Sequence, residues 1–247
     1  MTHGNQLVAR LSPPDRRLLI AMGKSVPLAP GLVLFERGED AASIFFPTAG
    51  AVLLSVPAAQ TPGLGVLLVG REGMLGMHHV LGSSQASLRA IVLTCGDALR
   101  IDAIAFCGAT AGSVTLHRAM LDYVGVILNQ VAASEACARF HRIGPRLAGW
   151  LLMTRDRGIS ESFHLTQDTL AGMLGVRRVG VTVAAHELQR LRLIEYHRGD
   201  VTLLDVPGLR ALAGDCYAAD PGAGGAASRA ARSRRARLRQ PVVTQSS

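Results

Sequence analysis

LTQDTLAGMLGVRRVGVTVAAHELQRLRLIEYHRGDVTLL, residues 165–204, is the stretch that decides the fold. Thr166 is a preferred helix N-cap, and Asp168 puts a negative charge on the first turn, where the helix dipole favours it. Leu170, Ala171, Met173 and Leu174 give one apolar face. Gly175 ends this helix, because glycine enters the left-handed backbone region without a steric cost. Val181, Ala184, Ala185, Leu188 and Leu191 then recur at helical spacing and define a second helix. Ala171 stands four residues before the glycine, where two crossing helices come close and a larger side chain would clash. Val181, six residues after the glycine, is placed to plug the gap between them. Arg177, Arg178, Thr182 and His186 remain for the outer face of the second helix, which has the size to enter the major groove of DNA.

The segments Ile194–His197 and Val201–Leu204 are strand-like, with Arg198-Gly199-Asp200 as the turn between them. Two helices followed by such a hairpin make a winged helix. DNA binding is the function this motif suggests, with a winged helix used only for protein contacts as the alternative.

Charge is unevenly placed along the 247 residues. Residues 1–138 carry 9 basic and 9 acidic side chains, residues 139–212 carry 11 and 7, and residues 213–247 carry 6 and 2, which together give the net +8. Positive charge therefore sits with the winged helix and the tail, as a nucleic-acid partner requires. Mean hydropathy is +0.27, and no charged residue falls between Ala41 and Gly70. Pro47, Pro57, Pro62 and several glycines break that run, so it suits strands better than a membrane span. No basic-then-apolar leader is read at the N-terminus, and a cytoplasmic protein without a membrane partner is expected. Cys95, Cys107, Cys137 and Cys216 are widely spaced, with no CxxC or Cys/His cluster. Reduced, buried cysteines are expected, with neither a zinc nor an iron–sulfur site and no cofactor.

Ser12-Pro13-Pro14-Asp15 opens a short helix to about Met22. From Pro27 to Ile101 short apolar runs alternate with turn residues: 32–35, 44–46, 51–54, 66–69 and 90–93 read as strands. Turns are expected at 37–40, 61–63 and 96–97. This spacing predicts a small barrel or jelly roll. Ala103–Ala111 reads as a short helix, and Ser113 caps a long one to about Phe140. Its stripe of Leu116, Met120, Tyr123, Val124, Ile127, Val131, Ser134 and Ala138 is expected to pair with a second copy of the chain. A further helix, Arg146–Arg157, begins the winged domain, and the Ala-, Gly- and Arg-rich residues past Leu212 read as losing order, with 215–247 a disordered basic tail.

A β-roll, a long helix and a winged helix, in that order, resemble the CRP/FNR superfamily of bacterial transcription regulators over residues 25–212. Leu34–Ala41 with Ile44-Phe45-Phe46 and Gly50 is similar to the family's "F-x-x-G-[DE]…[IV]-[YF]-[FI]…G" hairpin. Thr166–Leu188 is similar to its helix-turn-helix, with Arg178 at the usual base-reading arginine. The glutamate that normally follows is Val179 here, which removes the basis for assuming the family's usual half-site. The resemblance implies an α+β architecture: an N-terminal double-stranded β-helix (1–110), a dimerisation helix (111–141) and a Crp-type winged helix (142–214). It implies double-stranded DNA and a second copy of the chain as partners, with RNA polymerase a third candidate, and no enzyme activity. The DNA-binding set is then Thr166, Gln167, Arg177, Arg178, Val179, Thr182, His186 and Arg198.

Effector binding is where the chain departs from the family. Cyclic-nucleotide binders of this family carry a Gly-Glu beside the ribose and an Arg-Ser or Arg-Thr on the cyclic phosphate, whose buried charge needs that arginine. The matching residues 70–90 read GREGMLGMHHVLGSSQASLRA, with Met77 at the glutamate position and Gln85-Ala86-Ser87 in place of the Arg-Ser pair. A nucleotide is therefore disfavoured, and Glu72, Gly73, Gly76 and Arg89 are the candidate effector residues. His78-His79 is read as solvated or structural rather than as a haem ligand. A cupin-like metal site is disfavoured because adjacent histidines in a strand face opposite sides. A signalling or scaffold module, with a ligand-binding roll and a protein-contacting winged helix, is the alternative function.

Overall fold

The computed structural model describes residues 4–58 and 61–218. Two helices, α1 (Gln6–Ala9) and α2 (Pro13–Met22), lead into seven strands: β1 (Lys24–Leu28), β2 (Val33–Phe35), β3 (Ser43–Ala49), β4 (Val52–Ala58), β5 (Thr61–Val69), β6 (Arg89–Val92) and β7 (Gly96–Asp102). A 3-10 turn, Met77–Leu81, interrupts the long connection between β5 and β6. The strands form two antiparallel sheets, β1-β7-β3 and β2-β6-β4-β5. Ile44, Phe46, Leu99 and Ile101 of one sheet and Val52, Leu54, Leu67, Val69 and Val92 of the other share one buried core. Two expected turns are strand instead. Thr61 pairs with Ala58 at the start of β5, where irregular register lets the ladder continue. Gly96 and Asp97 pair with Leu28 and Pro27 of β1, and Gly96 lies so close to Ala49 O that a side chain would collide with it.

Next come α3 (Ala103–Gly112) and α4 (Val114–Phe140). Ser113 caps α4 by accepting from Leu116 N. Asp15 of α2 fixes this start: its carboxylate accepts from Ser12 (2.7 Å), Ser113 (2.7 Å) and Thr115 (2.6 Å). Those three hydroxyls hold the Asp15 carboxyl below the usual carboxylate range. The first half of the α4 stripe is covered within the chain itself, while Ala138 near its end is exposed. Leu116, Met120, Tyr123 and Ile127 are buried in the roll's own core, with Val131 packed on it. An apolar stripe says that something covers it, and here the roll does so, alongside Leu19 of α2 and Phe106 of α3. The opposite face keeps Val114 (84% exposed), Leu121 and Leu128 (66% exposed) in solvent, with Gly125 between the leucines and Ala132 after them in the same heptad pattern.

The rest of the chain is α5 (Ile143–Gly158), β8 (Ser162–His164), α6 (Gln167–Leu174), α7 (Arg178–Arg190), β9 (Ile194–His197), β10 (Asp200–Leu203), α8 (Val206–Ala213) and α9 (Asp215–Ala218), with the strands in the order β8-β10-β9. Leu147, Leu151, Leu170, Val181, Leu188, Ile194, Val201 and Leu209 form its core. That core continues into Ala51, Leu53 and Leu68 of the roll, whereas Val52, Leu54, Leu67 and Val69 point the other way. The middle of β4 and β5 is thus buried on both faces, which is why the sequence there is apolar without alternation. Helix α6 lies on β5 so closely that a Cβ at Gly65 would stand 2.8 Å from Met173 O. Leu191, expected in the α7 stripe, is exposed because the helix ends at Arg190. Order also persists past residue 214: Tyr217 of α9 is buried and its hydroxyl donates to Asp156. The rest of the expected tail, from residue 219, lies outside the described residues. No described helix is long and apolar enough to cross a membrane.

Candidate nucleic-acid interface

Helix α6 begins at Thr166, whose hydroxyl accepts from Thr169 N, and ends at Gly175 with φ +63°. There Gly175 N donates to Gly172 O and Val176 N to Ala171 O. This paired closure, with glycine in the left-handed region, stops the helix and turns the chain sharply. Arg177 then caps α7 with extended backbone, and Arg178 is its first helical residue. Val181 is fully buried between the helices and Ala171 is buried opposite it, as the spacing requires.

Arg177, Arg178, Val179, Thr182 and His186 are all exposed. Arg178, Thr182 and His186 follow each other at four-residue steps along one edge of α7. Val179 and Val183 form the adjacent row, and Val183 (65% exposed) is a surface residue that the apolar pattern conceals. Gln167 joins the two helices: its Oε1 accepts from Arg178 Nε at 3.3 Å and from Thr182 Oγ1 at 2.9 Å. Asp168 Oδ1 stands 3.7 Å from the same arginine. Four of the expected residues, Thr166, Gln167, Arg178 and Thr182, are therefore gathered where α6 and α7 start. Arg198 is set apart at the wing tip, where it and Gly199 both have positive φ, the two-residue turn that suits a twisted hairpin. Asp200 pairs with His197 as part of β10 rather than the turn. Strand β8 is only three residues long and has no signal in the sequence. It pins the wing to the helices through Leu165 N to Gly199 O (2.7 Å) and His164 Nδ1 to Asp200 Oδ1 (2.9 Å).

The candidate effector residues are engaged by different partners. Glu72 accepts from Arg157 Nε at 2.7 Å and from Gly70 N at 3.1 Å. Arg157 is 1% exposed and belongs to α5, so this ion pair joins the roll to the winged domain. Gly73 lies against the ring of Tyr123, whose hydroxyl donates to Met74 O. Gly76 supplies the left-handed residue before the 3-10 turn, and Arg89 pairs with Glu36 at 3.2 Å. His78 and His79 are not in a strand: they share that turn with ring centroids 4.6 Å apart. His78 is buried, and burial beside His79 lowers its pKa to about 4, which keeps it neutral.

The cysteines also depart from expectation, since Cys95 is exposed and the other three are half-buried. Cys137, His141 and Cys216 come within 4.8 Å of one another, because α9 returns to the end of α4. Widely spaced cysteines conceal such a cluster. Cys137 and Cys216 also line a cavity of about 380 Å³ between β5, α4, α5 and α6.

The model of the Crp-like helix-turn-helix domain matches residues 145–212. Several solved structures share the fold. A CRP-family transcriptional regulator from Thermus thermophilus is 19% identical over 76% of this chain and 96% of its own, with a TM-score of 0.63. A CRP/FNR-family transcriptional regulator from the same organism is 21% identical over 77% and 98%, with a TM-score of 0.65. A protein of the crp/fnr family from Eubacterium rectale is 17% identical over 84% and 97%, with a TM-score of 0.67. No curated protein matches the sequence. Residues 145–212 thus match a Crp-like helix-turn-helix domain, and the chain shares the fold of these regulators: a β-roll, a long helix and a winged helix.

Proposed function

We propose that the protein reads DNA sequence as a homodimer, with residues 1–110 as sensor, 111–141 as dimerisation helix and the DNA-reading domain running from 142 to the end of α9. The observation that carries this is the solvent-facing set on α7, Arg177, Arg178, Val179, Thr182 and His186, with Arg198 exposed at the wing tip. Arg178, at the first turn of a groove-entering helix, donates two parallel hydrogen bonds to the O6 and N7 of a guanine. Val179 and Val183 offer methyl groups to thymine, and Val179 makes no demand for cytosine at the neighbouring position. Thr182 and His186 complete the reading edge. Thr166, Gln167, Arg177 and Arg198 hold phosphates and set the register.

Dimerisation uses the outward face of α4. Leu121 and Leu128 alternate there with Gly125 and Ala132, small residues that let two helices approach closely. The signal is not a cyclic nucleotide: the Arg-Ser pair is missing, and Glu72 is committed to Arg157. Selection of bound duplexes from a random pool tests the proposal. Enrichment of an inverted repeat, with half-sites about one helical turn apart, is expected. Recovery of DNA without sequence enrichment would overturn it.

A further inference from the structure

The long helix and the last described helix meet at a cluster of soft ligands. Cys137 lies in the last turn of α4, and His141 follows its end four residues later, so both project to one side. Cys216 reaches the same point from α9. His141 Nδ1 and Cys216 Sγ are 2.9 Å apart, and all three donor atoms lie within 4.8 Å of one another. In a tetrahedral zinc site, with bonds of about 2.3 Å to sulfur and about 2.0 Å to nitrogen, donor atoms stand roughly 3.5–3.8 Å apart. Side-chain rotation alone covers the difference.

We propose that Cys137, His141 and Cys216 bind a thiophilic transition-metal ion of the zinc class, which clamps the end of α4 to the C-terminal helix of the winged domain. Two sulfurs and an imidazole select such an ion over the oxygen-seeking calcium or magnesium. Binding forms two metal–sulfur bonds and one metal–nitrogen bond, and the two thiol protons leave to solvent. No electron transfer is involved. Burial, with Cys137 alongside, pushes the Cys216 thiol up to about 12, so its proton stays until the ion displaces it. The Arg146 guanidinium opposes that rise by favouring the Cys216 thiolate. His141 is exposed, which gives the ion an entry path. The adjoining cavity of about 380 Å³ has room for water as a fourth ligand. Only His141 and Arg142 separate α4 from α5. An ion held on both sides of that joint fixes the angle between the long helix and the winged domain. The site depends on the fold alone and stands or falls independently of which DNA sequence the protein reads.

Cobalt(II) is the probe for the test, added to full-length, reduced, chelator-stripped protein. One cobalt per chain should bind with thiolate-to-metal charge-transfer absorption and tetrahedral d–d bands, and zinc should displace it. The bands should vanish in the C137S/C216S double variant and survive in C95S/C107S. His141→Ala, an exposed change that leaves packing intact, should weaken cobalt at least ten-fold. Zinc should also protect Cys137 and Cys216 of the wild type from alkylation and slow hydrogen exchange at residues 139–146. Absence of the bands in wild type, their survival in C137S/C216S or loss in C95S/C107S, an unweakened His141→Ala, or unchanged alkylation or exchange would each overturn the site. The alkylation arm decides the matter if the double variant does not fold.

Discussion

Arg177 and Arg178 are neighbours with different backbone positions, and that difference predicts different failures. Arg178 starts α7 and is steadied by Gln167, whereas Arg177 is the extended residue before the helix. Arg178→Ala should cost roughly 1–3 kcal/mol and flatten preference at one base pair per half-site. Arg177→Ala should weaken all sequences about equally and lower the salt slope by about one unit. Binding-site selection on both variants, with affinities at two salt concentrations, separates the two roles. Unchanged base preference in Arg178→Ala would leave that arginine as a phosphate anchor only. Both arginines, Thr182 and His186 are legible from spacing, since a single helical period assigns the outward face. The bridge through Gln167 is not, because it depends on how two helices cross. Val183 is hidden because an isolated valine at helical spacing looks the same whether it faces a core or a groove.

Helix α4 shows where periodicity stops being informative. Its length, cap and buried stripe are legible, but both of its faces are apolar and the sequence does not say which partner each meets. Ile127 is 5% exposed in the roll's core, and its neighbour Leu128 is 66% exposed. Ile127→Asp should therefore lower the Tm sharply, since an unpaired buried charge costs several kcal/mol. Leu128→Asp should leave the Tm of the protomer nearly unchanged and yield monomers by light scattering. A dimeric Leu128→Asp variant would place the seam elsewhere. The start of the same helix carries a pH dependence. Asp15 has a folded pKa below its ordinary value of 3.8, so its three hydroxyl hydrogen bonds stabilise the fold fully above that value. The stabilisation is lost as pH falls through the lowered folded pKa. Asp15→Asn should cost about 1–2 kcal/mol at neutral pH and shrink the stability difference between pH 7 and pH 3. An identical acid limb in the two proteins would remove Asp15 from that account.

At the scale of the whole molecule, two cores are joined through strands β4 and β5, buried on both faces, and through the ion pair between Glu72 and Arg157. The order of the domains and the jelly roll are legible from changes in period along the chain. The joint is not: the loop motif marks Glu72 as an effector residue, and its partner lies 85 residues further on. The pair predicts that the domains melt as one unit. Arg157 is almost wholly buried, and neutralising Glu72 removes a charge-assisted hydrogen bond from it at the apolar joint. Glu72→Gln should then cost roughly 3–5 kcal/mol and separate the calorimetric transition into two. Replacing both residues with methionine should recover most of that loss, because the desolvation of two charges is relieved together. The coupling energy from the cycle of both single variants and the double variant measures the joint directly. A coupling near zero, with a single transition retained in Glu72→Gln, would mean that β4, β5 and α6 hold the domains without the pair.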